Sequence, residues 1–223
     1  MSYDSTYSDI MLKIQRLRLV VFLKLLLARH GVTDWNKSRR FQGRTDSELS
    51  ADGILQAEKL SARLAAWKPD IVFTSPLKRA FSTASRIAVP NLKILPELEE
   101  INFGSWEGLS LDSLLSDQTE NFLKWRNDPF FNPPHDGEKW PSIQERLTRA
   151  FDIMKSSGHE RIIAVSHGGI IRALFCVILG FDPHTIWNLE VSNCSISEIE
   201  ITDAKSTLIY ANDVHHLEGS VRP

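Results

Sequence analysis

The sequence predicts a three-layer α/β/α sandwich built on a largely parallel central sheet. Apolar runs of strand length recur at residues 25–28, 71–74 and 162–165. Each stops abruptly at polar residues and is followed by a segment of helical spacing. Runs that are apolar without alternation suit strands buried on both faces, as parallel strands are. Strands that alternate with helices place those helices on the two sides of one sheet.

Length and composition fit this reading. The 223 residues suit one domain with a substantial core, and no internal repeat or second-domain boundary stands out. The net charge of -2 leaves no electrostatic footprint for nucleic acid. Cys176 and Cys194 are too few for a disulfide framework and lack metal-ligand spacing, so they read as small apolar core residues. No apolar stretch reaches transmembrane length, and the one at residues 17–28 is interrupted by Arg18 and Lys24. Without a small-residue cleavage site behind it, a cytoplasmic protein is expected, with no stable membrane insertion.

Residues 1–23 read as an N-terminal extension and residues 24–223 as the domain. Within the extension Ile10, Ile14 and Leu17 have helical spacing among Lys13, Arg16 and Arg18, which allows a basic amphipathic segment that touches a membrane surface or a partner, although an extension packed on the domain or frayed from it is the favoured reading. The alternation of Leu19, Val21, Leu23, Leu25 and Leu27 also allows the first strand to begin before Lys24. Residues 31–49 form a polar loop carrying two aromatics and arginines, of a length that is usually functional. Ser50 caps a helix to about Trp67, with Leu60 and Leu64 on its apolar face.

The strand at residues 71–74 leads through Ser75-Pro76-Leu77-Lys78-Arg79 into a helix to about Ala88, and a short strand follows at residues 93–95. Residues 111–127 read as one helix. Residues 128–137, with three prolines and two phenylalanines, suit the irregular wall of a pocket. A helix at residues 143–156, the third buried strand and an apolar helix at residues 170–179 come next. A pair of strands at residues 195–201 and 207–210 completes the pattern.

Three strand-to-helix junctions then deliver Arg29-His30, Arg79 and His167 to the carboxyl edge of one sheet, where open α/β folds bind ligands. Two arginines and two histidines there suit a compact, multiply charged oxyanion such as phosphate. Gly168, opening a helix, can add backbone N–H donors. Neither a metal-ligand set nor a phosphate-cradling glycine loop is present, so no cofactor is expected and side chains must supply nucleophile and charge. Arg79 alone could as well be a helix-start residue, and composition does not choose between Glu99 and Glu100.

Leu27-Ala28-Arg29-His30-Gly31-Val32-Thr33 resembles the signature of the histidine phosphatases, the superfamily that includes cofactor-dependent phosphoglycerate mutases. Four further blocks agree in order. They are Phe41-Gln42-Gly43-Arg44-Thr45-Asp46, Ser75-Pro76-Leu77-Lys78-Arg79-Ala80, the segment from Glu100 through Phe103-Gly104 to Gly108, and Val165-Ser166-His167-Gly168-Gly169. The resemblance implies a phosphoglycerate mutase-like fold and a set of roles. His30 becomes phosphohistidine. Arg29, Arg79 and His167 hold the phosphoryl oxygens. Glu100, selected by its spacing to Phe103-Gly104, protonates the leaving alcohol and then activates water. For the first task it should start protonated, a form that partial burial favours. Asn36, Gln42 and Gly43 contact the phosphoryl group, and Arg44 lines the entrance.

The same resemblance favours a phosphatase over a mutase. The stretch after the acid is short and poor in basic residues, and Gly169 stands where mutases usually carry asparagine. Pro133-Pro134-His135-Asp136-Gly137-Glu138 resembles the pocket segment of broad-specificity and cobalamin-pathway phosphatases, with Lys139 where those usually have serine. The expected function is a metal-independent phosphomonoesterase acting on a small phosphoester. The alternatives are a phosphoglycerate mutase and a catalytically silent phosphate-binding or scaffolding relative. A homodimer is compatible with this reading. The aromatic segment 122–140 is a candidate specificity lid, with Trp125 and Phe131 as its test positions.

Overall fold

The computed structural model describes residues 21–217. The expectation for the extension falls almost wholly on residues outside that range. Six strands form one sheet: β1 (Val21–Arg29), β2 (Ile71–Thr74), β3 (Leu92–Ile94), β4 (Arg161–Ser166), β5 (Ile196–Thr202) and β6 (Ser206–Asp213). Their order is β3-β2-β4-β1-β5-β6. The first four in that order run parallel, and β5 and β6 join antiparallel at the edge. Strand β1 begins at Val21, as the alternation allowed, three residues before Lys24.

Side chains of β1 divide between the two faces by the two-residue period of a strand. Leu25 and Leu27 enter one core with Ile143, Leu147 and Ala150 of α6 (Trp140–Lys155) and with Ile171, Leu174 and Phe175 of α7 (Gly168–Leu179). Leu26 and Ala28 enter the other, with Ala57, Leu60 and Leu64 of α2 (Ala51–Ala65) and Ala80 and Ala84 of α3 (Lys78–Ala84). Both faces of the sheet are therefore covered, which is why its central strands carry no polar alternation. Ser50 caps α2, its side chain accepting from the N–H of Gly53.

Three expectations about elements change. The loop at residues 31–49 contains a one-turn helix, α1 (Asp34–Lys37), closed by a reciprocal capping box between Thr33 and Asn36. The segment 111–127 is two helices, α4 (Leu111–Asp117) and α5 (Glu120–Asn127). Gln118 takes the left-handed conformation, and Thr119 caps the new start. One continuous helix would set Leu114 and Phe122 about 80° apart, whereas the break lets both bury in the same cluster. Helix α3 stops at Ala84 rather than Ala88.

The register sets up the site. Arg29 lies opposite Ser166 across β1 and β4, and Thr74 opposite Val165 across β2 and β4. Arg29-His30, Ser75 and Ser166-His167 thus leave the sheet at one level.

Candidate active site

His30 is buried at that edge, and its Nδ1 lies 2.7 Å from the carbonyl oxygen of Gly31. A carbonyl only accepts, so Nδ1 carries the proton and Nε2 presents a lone pair. Burial, then the charges of Arg79 and Arg29, hold the imidazole well below its ordinary 6.5, outweighing that backbone bond. His30 is therefore neutral at physiological pH. The segment after α7 pins its backbone: Asn193 Nδ2 donates to the His30 carbonyl at 3.0 Å, and the Cys194 N–H reaches it at 3.2 Å.

Arg79 is almost fully enclosed. Its Nη2 donates to Gly43 O at 2.7 Å, Nη1 to Thr45 O at 2.9 Å and Nε to His167 Nδ1 at 3.2 Å. Burial pushes this guanidinium down to about 10. Three of its five N–H groups are committed and two remain for a ligand. Arg29 donates Nη1 to Val191 O at 2.7 Å, while its buried Nε has no partner.

His167 accepts at Nδ1 from Arg79, so its Nε2–H must be the donor to Ser75 Oγ, 2.8 Å away. Its ring stands 5.1 Å from that of His30, centroid to centroid. Both nitrogens are thus committed. In this state His167 orients Arg79, which differs from the direct phosphoryl contact that the resemblance implies.

Glu100 completes the group. Its Oε1 accepts from the N–H of Ile101 at 3.0 Å, and its Oε2 from that of Gly169 at 3.4 Å. A Cβ at Gly169 would meet Glu100 Oε1 at 2.7 Å and Ile101 Cδ1 at 2.6 Å, so a side chain there would push both of those side chains aside. The neighbouring Glu99 faces Arg44 instead, 3.6 Å from its Nε. The tertiary structure thereby selects Glu100 over Glu99.

A cavity of about 250 Å³ joins these groups, lined among others by Arg29, His30, Arg79, Glu100, Asn36, Gln42 and Gly43. Asn36 Oδ1 takes bonds from the Thr33 N–H and hydroxyl and from Asn193, which leaves Nδ2 for the cavity. Gln42 likewise spends its Oε1 on Ser47. Gly43 has a φ of +52°, and a Cβ would run into the Glu107 carboxylate, so this turn requires glycine.

Three predicted positions do not line the cavity: His167, which stands behind Arg79, and Arg44 and Gly168. Arg44 lies at the rim, paired with Glu99 and Glu138 rather than among the cavity's lining residues. Gly168 stands behind Arg29, its carbonyl accepting from Arg172. Trp125 lines the cavity. Phe131, 43% exposed, stacks on His184 and is not among the lining residues.

Several supporting groups escaped the sequence reading. Glu107 ties the phosphate-side loop together, accepting from the N–H groups of Arg44 and Thr45, the Thr45 hydroxyl and the N–H of Phe103. Asp46 accepts from the Lys78 N–H, capping α3 where Leu77 offers no side-chain bond. Glu107 shares the segment 100–108 with Glu100, but only the loop crossing in space shows what it holds.

The two buried histidines predict a pH effect on stability. Both are held below 6.5 when folded. As pH falls from about 7 to about 5, the unfolded chain binds protons at these positions and the folded chain does not, so stability falls, by up to about 1.4 kcal/mol per histidine per pH unit. Above pH 7 both states are neutral there and the effect vanishes. Melting temperatures of wild type and His167→Gln across this window check it. The variant should show the shallower slope, and parallel curves would contradict the assignment.

Fold and site together define a phosphoryl-handling α/β enzyme with a histidine at its centre. The sequence model of the histidine phosphatase superfamily (branch 1) matches residues 25–214, and the chain belongs to that superfamily. As an enzyme it is a phosphatase of that group. It is 31% identical over 199 residues to phosphoserine phosphatase 1 of Hydrogenobacter thermophilus, covering 87% of this chain and 94% of that one. It is 32% identical to the metal-independent phosphoserine phosphatase of Arabidopsis thaliana over 205 residues, 88% of this chain and 84% of the relative. Among solved structures, the phosphoserine phosphatase of Entamoeba histolytica in complex with 3-phosphoglyceric acid aligns with a TM-score of 0.79 at 30% identity, covering 87% of this chain and 99% of that one.

Proposed function

We propose that the protein is a metal-independent phosphomonoesterase for a small organic phosphate, working through phosphohistidine on His30. The observation that carries this is the unprotonated Nε2 of His30 inside a cavity shared with Arg29, Arg79 and Glu100. Nε2 attacks phosphorus as the ester P–O bond breaks, and the departing alkoxide takes the proton of Glu100. Glu100, now a carboxylate, accepts a proton from water as that water attacks phosphorus. The P–N bond breaks, its electron pair returns to Nε2, and inorganic phosphate leaves. The Arg29 Nε–H and the spare N–H groups of Arg79 stabilise the oxygens as charge moves onto them. Asn36 and Gln42 add neutral donors. His167 serves through Arg79, and directly if its Nε2–H exchanges Ser75 for a phosphoryl oxygen.

The guanidinium charges take the place a metal would fill, in keeping with the name of the Arabidopsis relative. Gly169 weighs against the mutase reading, since an asparagine side chain there would displace Glu100 from its present position. The test is hydrolysis of phosphoserine, 3-phosphoglycerate and an aryl phosphate with excess chelator, combined with trapping of labelled enzyme in an alkaline denaturing quench. Chelator-resistant release of phosphate with an acid-labile, base-stable phosphoenzyme supports the reading. Phosphoryl transfer between phosphoglycerates without net hydrolysis would replace it with the mutase.

Trp125 is proposed to set substrate preference. It forms a wall of the cavity and is wedged among Phe41, Trp106 and Trp187. Trp125→Ala should change kcat/KM between alkyl phosphates by about tenfold or more while an activated aryl phosphate changes by less than about threefold. Equal losses on all substrates with a lower melting temperature would mean that Trp125 is packing only.

A further inference from the structure

We infer that Arg146 and Glu138 form a clamp that positions Glu100 for proton transfer, although neither residue lines the cavity. The inference rests on the assignment of Glu100 as acid and base. Arg146, on α6, is 7% exposed and makes a two-pronged pair with Glu138, Nε to Oε1 at 2.7 Å and Nη2 to Oε2 at 2.8 Å. Its remaining donors reach the backbone that carries the acid: Nη1 to Glu99 O at 2.8 Å and to Glu97 O, and Nη2 to Glu100 O at 3.5 Å. Glu138 grips the same segment from the other end. Its N–H donates to Asn102 O at 2.8 Å, and its Oε2 accepts from the Asn102 N–H at 3.4 Å.

The segment needs such a device. Residues 99–103 belong to no helix or strand, so no ladder of backbone bonds holds them. A planar guanidinium with five donors can bind several carbonyls and a carboxylate at once, which a lysine cannot. Glu138 also lies 3.5 Å from Arg44 Nη2, and Arg44 follows the Gly43 turn that holds Arg79. The clamp therefore sets the distance between the acid on one wall and the phosphate-binding arginine on the other. A displacement of about 1 Å in such a group is enough to lose much of its effect.

Leaving-group dependence separates positioning from packing. An alkyl phosphate needs its leaving oxygen protonated, whereas a nitrophenyl phosphate does not, although hydrolysis of phosphohistidine still needs the base. Arg146→Lys and Glu138→Gln are expected to lower kcat on alkyl phosphates at least about tenfold with KM little changed. On nitrophenyl phosphate they should keep a burst of one nitrophenol per site, followed by slow turnover. In a Glu100→Gln background, Arg146→Lys should add little further loss. Glu138→Gln keeps the argument testable if Arg146→Lys does not fold. Loss of the burst together with alkyl turnover, or full additivity with Glu100→Gln, would overturn the clamp. An alkyl phosphatase activity unaffected by Glu100→Gln alone would instead overturn the role of Glu100.

Discussion

Replacing His30 with alanine is expected to abolish phosphoenzyme formation and lower kcat on any phosphomonoester by roughly 10^4-fold or more, a loss comparable to removing other covalent nucleophiles. The physical ground is that Nε2 is the unprotonated ring nitrogen, its tautomer set by Gly31 O, of a histidine that lines one cavity with Arg29 and Arg79. The fold should survive. The imidazole is neutral and makes one bond to its own neighbour, so removing it costs about 1–2 kcal/mol and leaves circular dichroism unchanged. A folded His30→Ala protein that still turns over phosphoester at a rate near wild type would sink the phosphohistidine mechanism.

The second large effect is expected at Arg79. Arg79→Ala should lower kcat/KM by about 10^3-fold, since it removes a cation and two free donors from the phosphoryl pocket. It should also lower stability by about 2–4 kcal/mol. Gly43 O, Thr45 O and His167 Nδ1 all lose their donor, and buried acceptors left unpaired are costly. Relief of repulsion with Arg29 acts the other way and keeps the figure from rising further. Because the Arg79 charge is one cause of the lowered proton affinity of His167, the variant should also move His167 back towards its ordinary value. Chemical denaturation, steady-state kinetics and histidine titration by NMR measure the three consequences. Unchanged catalysis in a destabilised protein would make Arg79 a structural residue alone.

Much of the site was legible because its main groups follow buried strands directly. An apolar run that must end at a sheet edge carries the residues that follow it to that edge, so Arg29-His30, His167 and, in the first turn of a helix, Arg79 could be placed from the sequence.

What could not be read locally depends on chain segments that meet only on folding. Glu99 and Glu100 are adjacent and chemically alike, and their opposite fates follow from Arg44 on one side and the Gly169 N–H on the other. The proton positions of the two histidines are set by Gly31 O for one and by Arg79 and Ser75 for the other, partners that composition does not rank. Arg146 looked like an ordinary residue of an amphipathic helix, yet it is bound to carbonyls 46 to 49 positions earlier in the chain.

The sequence by itself determined the strands, the layer order and which residues reach the carboxyl edge, because burial period and strand ends are properties of contiguous residues. Only the tertiary structure decided which carboxylate enters the cavity, which nitrogen of each histidine carries the proton and what holds the acid segment in place. Those are contests between polar partners distant in sequence, and they are settled by which donor and acceptor packing brings within about 3 Å.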